Sequence, residues 1–309
     1  MRPCVLRLKG TSIQQSPPYQ TFVSELTMSA SNLTWSKIIR LPAFLLIGIA
    51  AAGVFVHLGI NLKLEKYSHL ALSLIFWLSA ISLVWDKRQQ IKPSSNLISC
   101  GLGMIIMGIT LIGAFVSRNL FLGFAPLGFA ISLALLASGI SNLLKYRQEL
   151  IILFTLGIPK ILLPLLPDLS PLTAKISAFW LMYCGFDVIL QNNQIILPQG
   201  VVNVVPSCSG LNLIIYMLGL SVIFQVMFPL PRKNSFKVIS YLVAATIGFF
   251  VNSIRVSILA LLSGDASRQA FEYWHSQEGA LIFVTTSVLI YGIFCWFLLR
   301  YYFDNYQQG

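Results

Sequence analysis

Eight apolar runs, each about 20 residues long, dominate this chain: roughly 41–60, 67–85, 95–116, 120–142, 150–166, 209–228, 238–262 and 279–300. A helix of that length rises about 30 Å, the thickness of a bilayer's hydrocarbon core. Inside that core every backbone N–H and C=O needs a partner within the protein, which leaves helices as the structure for such runs. The expected fold is therefore an all-α polytopic membrane protein with about eight spans. Composition agrees, with 56% hydrophobic and 10% charged residues among 309 and a mean hydropathy of +0.78.

A ninth apolar stretch, 172–190, would reverse the orientation of everything upstream of it if it crossed. Charge decides against that. With eight spans and a cytoplasmic N-terminus, about 14 Lys and Arg fall in inner segments, among them Lys87, Arg88, Lys145, Arg147, Arg232 and Lys233. About five fall outside: Lys63, Lys66, Arg118, Lys175 and Arg268. Stretch 172–190 then reads as an amphipathic helix in the outer interface, with Phe179, Trp180 and Tyr183 at headgroup level.

The net charge of +11 belongs largely to these inner loops, so membrane orientation explains it and nucleic acid is not an expected partner. Residues 1–40 read as a partly disordered cytoplasmic segment without a cleavable signal, Met28 being a second candidate start. Residues 41–302 read as one multi-span domain and 303–309 as a cytoplasmic tail. No internal repeat of the transporter kind is evident. The five cysteines show neither CxxC nor metal-ligand spacing, and no cofactor is implied. Cys100, Cys184 and Cys295 read as small buried hydrophobes, and His57 and His69 as ordinary interface residues. Lys160, beside Pro159, fits either a functional or a snorkelling role.

Three polar residues fall on the same outer leaflet in this topology. Ile195–Leu197 and Val201–Val205 flank a Pro198-Gln199-Gly200 turn and read as a small β-hairpin. It leads to Pro206-Ser207, where Ser207 would cap the next helix and place Cys208 in its first turn. Arg255 lies in the outer half of the following span, with Asn252 one turn earlier, and so faces the bundle interior or a wet cavity. His275 stands at the outer mouth before the last span. A thiol, a permanent cation and an imidazole supply a nucleophile, an anion stabiliser and a proton carrier, a set sufficient for acyl transfer. Ser207, Ser209, Gly210, Asn212, Asn252 and Glu278 stand beside them as supporting or substrate-positioning candidates.

Asn203-Val204-Val205-Pro206-Ser207-Cys208-Ser209-Gly210-Leu211, followed by Asn252-Ser253-Ile254-Arg255 and by His275 with Gly279, resembles the exosortase/archaeosortase family. Many exosortases carry Arg directly after Ser-Gly-Leu/Ile, where this chain has Asn212, which points towards the cyanobacterial branch. The resemblance implies a membrane-embedded cysteine transpeptidase-like enzyme with Cys208 as nucleophile and Arg255 and His275 completing the site. Implied partners are exported proteins ending in a Pro-Glu-Pro-type motif, one transmembrane helix and a basic tail, together with a possible accessory membrane protein and the lipid bilayer. Implied too are a plasma (inner) membrane location and an extracytoplasmic site. The hairpin and the helix before it, 172–207, are candidates for holding extended substrate by strand addition. The alternative is a transporter or lipid-handling protein that binds an anion at Arg255. A third reading is an assembly partner without chemistry. No paired intramembrane Asp and no His-Glu-x-x-His is present, which disfavours the other intramembrane proteases.

Overall fold

The computed structural model describes residues 43–89, 96–116, 120–228 and 234–306. The expected segment 1–40, Arg118, Arg232, Lys233, the Lys160 side chain and residues 307–309 lie outside the described residues. Helices α1 (Ala43–Lys63), α2 (Tyr67–Asp86), α3 (Leu97–Val116), α4 (Leu120–Ser138) and α5 (Arg147–Leu162) are followed by the shorter α6 (Ser170–Tyr183). Strands β1 (Ile189–Gln191), β2 (Gln194–Leu197) and β3 (Gly200–Asn203) come next, then α7 (Leu211–Met227), α8 (Asn234–Leu261), α9 (Arg268–His275) and α10 (Gln277–Tyr306). The protein is an all-α polytopic membrane protein with one small sheet. Its last helix runs to Tyr306.

Seven segments among the described residues are long and apolar enough to cross a membrane, where eight were expected. The exception is α5, at 16 residues. Its packing nevertheless carries it from one end of the bundle to the other. At its start Lys87, just past α2, lies 3.0 Å from Glu149 and donates to Gln148 Oε1 at 2.6 Å. Midway, Thr155 stands beside Gly219 of α7, and Gly157 faces Phe124 near the start of α4. Pro159 and Pro164 then tighten the chain into the 3-10 turn Leu163–Leu165. A helix of 16 residues plus that turn rises about 30 Å, enough for a crossing. The buried faces of α2, α4, α5 and α7 meet in one core around Phe76, Trp77, Phe129, Ile152, Leu156 and Ile223.

α6 has 14 residues, about 21 Å, too short to cross, in keeping with a helix that does not span. It stops at Tyr183, earlier than 190, for a local reason. Gly185 takes φ +87°, the Phe186 N–H donates to Leu181 O and the Gly185 N–H to Met182 O, a helix-ending motif that needs a left-handed residue. The freed chain forms β1, so the expected hairpin is a three-stranded antiparallel sheet in the order β1-β2-β3. Asn192, at φ +53°, makes the extra turn. Ala174, Leu181, Ile195, Leu197, Val204, Val256 and Ala260 form a core that fastens the sheet to α6 and α8.

Two expectations about isolated residues are corrected. His57 is fully buried and His69 nearly so, their rings 6.0 Å apart. Trp77 Nε1–H donates to His57 Nδ1 at 3.3 Å, and Ser73 lies 3.1 Å from His69 Nδ1. They are interior polar groups, His69 also lying edge-on to Tyr216 of α7. Cys100 and Cys295 are buried as expected, whereas Cys184 is exposed because α6 ends beneath it.

Glu149 is 3% exposed and depends on Lys87 for its counter-charge. Lys87→Met is expected to lower unfolding stability in detergent by about 2 kcal/mol by leaving a buried carboxylate unpaired. Adding Glu149→Gln should restore most of that loss in a double-mutant cycle read by thermal melting.

Candidate active site

Cys208 lies in a 3-10 turn, Pro206–Cys208, that leaves the sheet and precedes α7. Its N–H donates to Val205 O at 2.8 Å. Two helices hold the carbonyls that follow. Asn252 Nδ2 of α8 donates to Cys208 O at 2.9 Å, and Thr173 Oγ1 of α6 donates to Ser209 O at 2.8 Å. The next residue, Gly210, takes φ +86° and caps α7, which starts at Leu211. Ser207 is therefore not the helix cap, and Cys208 precedes the helix instead of occupying its first turn. The left-handed Gly210 interrupts the helical path that Ser207 would have started. A Cβ on Gly210 would meet Asn252 Nδ2 at 2.7 Å, so the glycine also allows α8 its close approach.

Arg255 stands about 9 Å before the end of α8 and is partly buried. Its Nη2 donates to the backbone carbonyl of His275 at 3.2 Å, which ties α8 to the end of α9. Its Nε is buried without a hydrogen-bond partner. His275 ends α9, with its exposed ring stacked on Phe271 one turn earlier, centroids 5.6 Å apart and planes 9° from parallel. Gly279 lets the start of α10 fold back on that end, since a Cβ there would lie 2.5 Å from Tyr273 O.

Cys208 and His275 line one cavity of about 160 Å³, together with Val201 to Val205, Val256, Leu259 and Phe271. No hydrogen bond joins the thiol to the imidazole among the described residues, and the polar contact of Cys208 Sγ is Ser207 Oγ at 4.0 Å. The three residues singled out in the sequence thus gather at one end of the bundle. Of the supporting candidates, Ser209, Gly210 and Asn252 are buried and shape the cysteine turn, while Ser207, Asn212 and Glu278 are exposed. Asn252 supports the backbone of Cys208 rather than the guanidinium beside which the helix period had placed it.

Sequence reasoning missed Thr173, Ser177, Ser257 and Phe271. Ser177 Oγ donates to Ser253 O at 2.9 Å, and Ser257 Oγ to Ser177 O at 3.1 Å, so α6 is stitched to the helix that carries Asn252 and Arg255. The signal was there: Ser170, Thr173, Ala174, Ser177 and Ala178 make a small-residue face at helical spacing, suited to close helix contact. Among the described residues no group of three or more His, Cys, Asp or Glu stands together as a metal site.

Fold and site together define a multi-pass membrane protein with a cysteine, an arginine and a histidine gathered where the sheet meets the bundle. The transmembrane exosortase family model (Exosortase_EpsH) matches residues 62–292, and the chain belongs to that family. No curated protein and no solved structure matches it.

Gly210→Ala is expected to cost about 1–2 kcal/mol from the left-handed backbone alone, and to push Asn252 off the Cys208 carbonyl. The alkylation rate of Cys208, read by mass spectrometry in intact membranes, should change several-fold while that of exposed Cys184 stays as in wild type.

Proposed function

We propose that this protein is a cysteine peptidase or transpeptidase that cleaves C-terminal sorting signals of exported proteins through a thioester on Cys208. The observation that carries the reading is the shared cavity: Cys208 and His275 line it, and Arg255 is bound to His275's own carbonyl. A nucleophile and a proton carrier share a largely apolar cavity, and a fixed cation is tied to its wall through the His275 carbonyl. Charge counts for more there than in water.

In this mechanism Cys208 Sγ attacks the peptide carbonyl carbon and its proton passes to His275. The oxyanion forms on the side of Arg255, whose Nη2 is held by His275 O and whose fixed positive charge stabilises it. His275 then gives its proton to the departing amine as the C–N bond breaks. That step releases the substrate's membrane helix and basic tail and leaves an acyl thioester on Cys208. Water, or an acceptor amine in a transpeptidation, attacks the thioester and restores the thiol. Stacking on Phe271 fixes the plane of the imidazole while its exposed position allows proton exchange with water.

Charge supports the assigned side. Lys87, Arg88, Lys145, Arg147, Lys237 and Arg300 stand at the end of the bundle opposite Cys208. The positive-inside rule makes that end cytoplasmic and the site extracytoplasmic, in a plasma (inner) membrane with both termini inside. Residues 41–302 form the catalytic membrane domain. The substrates are exported proteins with a Pro-Glu-Pro-type motif, a membrane helix and a basic tail, delivered with or without an accessory membrane protein. Asn212, exposed at the start of α7, stands where many exosortases carry Arg, and we assign to it an effect on which signals are accepted.

Co-expression with a tail-bearing exported substrate tests the assignment on one gel. Cys208→Ala should abolish cleavage, and His275→Ala should slow it by about 10²–10⁴-fold. Arg255→Ala should slow it by about 10²–10³-fold. All variants should be present at wild-type levels in the membrane; cleavage that persists with Cys208→Ala would sink the thioester mechanism.

A further inference from the structure

β3 is the edge of its sheet, and the hydrogen-bond register shows which of its groups are unused. Val204 N–H donates to Asn193 O at 2.9 Å, which makes Asn193 and Val204 a hydrogen-bonded pair. Pairs alternate along an antiparallel ladder, so Ile195 with Val202 and Leu197 with Gly200 are bonded too. Val201 and Asn203, in the intervening pairs, therefore turn both N–H and C=O away from β2. Among the described residues these groups have no partner in the sheet or in the loops around it. The next outward carbonyl, that of Val205, already accepts the Cys208 N–H.

The cavity lies along this edge. A pocket on a sheet face is lined by alternate residues of a strand, because successive side chains point to opposite faces. Here Val201 to Asn203 of β3 line it consecutively, followed by Val204 and Val205, as expected of a pocket that runs beside the edge. Val256 and Leu259 of α8, Phe271 and His275 of α9, and Cys208 complete its lining. An open strand edge thus leads directly to the thiol.

We infer that the substrate segment preceding its membrane helix docks as an added strand on β3, pairing with the backbone of Val201 and Asn203, and so presents its scissile carbonyl to Cys208. This inference rests on the proposed peptidase reading and names how that site holds its substrate. The occupant is an extended peptide. A chain with free backbone donors and acceptors at strand spacing matches both outward residues at once, about 7 Å apart. Main-chain pairing supplies affinity with little sequence demand, while the valine and leucine walls favour small apolar side chains at the positions facing the cavity.

Two measurements on the full-length protein test it, with an exported fusion carrying a candidate sorting tail as the probe. In the first, Val201→Pro and Asn203→Pro each remove an outward N–H without touching the bonds to β2. Leu190→Pro does the same at the opposite edge of the sheet, because the bonded partners of β1 are Ile189 and Gln191. Each of the first two should raise KM about tenfold with kcat little changed, the worth of one backbone hydrogen bond. In the second, a photo-crosslinking residue is moved one position at a time through the substrate segment before its helix, against Cys208→Ala protein with β3 unaltered. Crosslinks to β3 and α9 should alternate in yield with a period of two. Cys208-dependent cleavage with unchanged KM in both proline variants, or crosslinks without alternation, overturns strand docking and leaves the peptidase standing. Cleavage indifferent to Cys208 overturns the peptidase reading and this inference with it.

Discussion

The carbonyls of two consecutive residues, Cys208 and Ser209, are each held by a side chain from a different helix, and the whole site depends on that double hold. A seven-residue connection between a small sheet and a membrane helix has few contacts of its own to fix it. Asn252 and Thr173 supply them, and the absence of a side chain at Gly210 lets Asn252 come close. The thiol is thereby referred to α8, the helix that also carries Arg255. Through Arg255 it is referred in turn to the end of α9 and His275. Three segments far apart in the chain are tied by side chain-to-backbone bonds, which constrain position without engaging the Cys208 thiol or the His275 imidazole.

The remainder of the fold works to keep those ties short. α6 lies against α8 because its buried face is built from Ser, Thr and Ala, and the hydroxyls that replace larger groups stitch the two helices together. In a membrane, where lipid tails compete equally for apolar surface, close packing and such hydrogen bonds are what hold helices in place. A similar tie operates deeper in the bundle, where Ser221, Ser240 and Tyr291 link α7, α8 and α10 through bonds of 2.8 and 2.7 Å. Glu149 and Lys87 secure the opposite end. The bundle is thus pinned by polar contacts at both ends and in the middle, with the apolar cores filling the space between.

Much of this was legible along the chain, for definite reasons. The apolar runs had to be helices, because a bilayer leaves backbone groups no other partner. The Pro-Gln-Gly turn between β-branched runs announced β2 and β3 correctly. The order Cys208, Arg255, His275, combined with an odd or even count of crossings, was enough to bring the three to one end. Less visible was the stop at Gly185, since a glycine within an apolar stretch reads as a packing residue until its φ is known. The start of α7 was misplaced for the same reason: Ser207 has the chemistry of a cap, but the backbone at Gly210 decides where a helix can begin.

What the sequence by itself determined is the class of fold and the family, since hydropathy and short motifs act locally and sum along the chain. Only the tertiary structure decided that Asn252 serves a carbonyl rather than a neighbouring cation, and that His57 and His69 lie inside. Only it showed that Thr173 belongs to the site and that the free edge of β3 borders the thiol. Those outcomes depend on which faces of distant helices meet. That is fixed by packing between segments, to which small residues and left-handed glycines contribute through the space they leave, and a linear pattern of side chains does not record it.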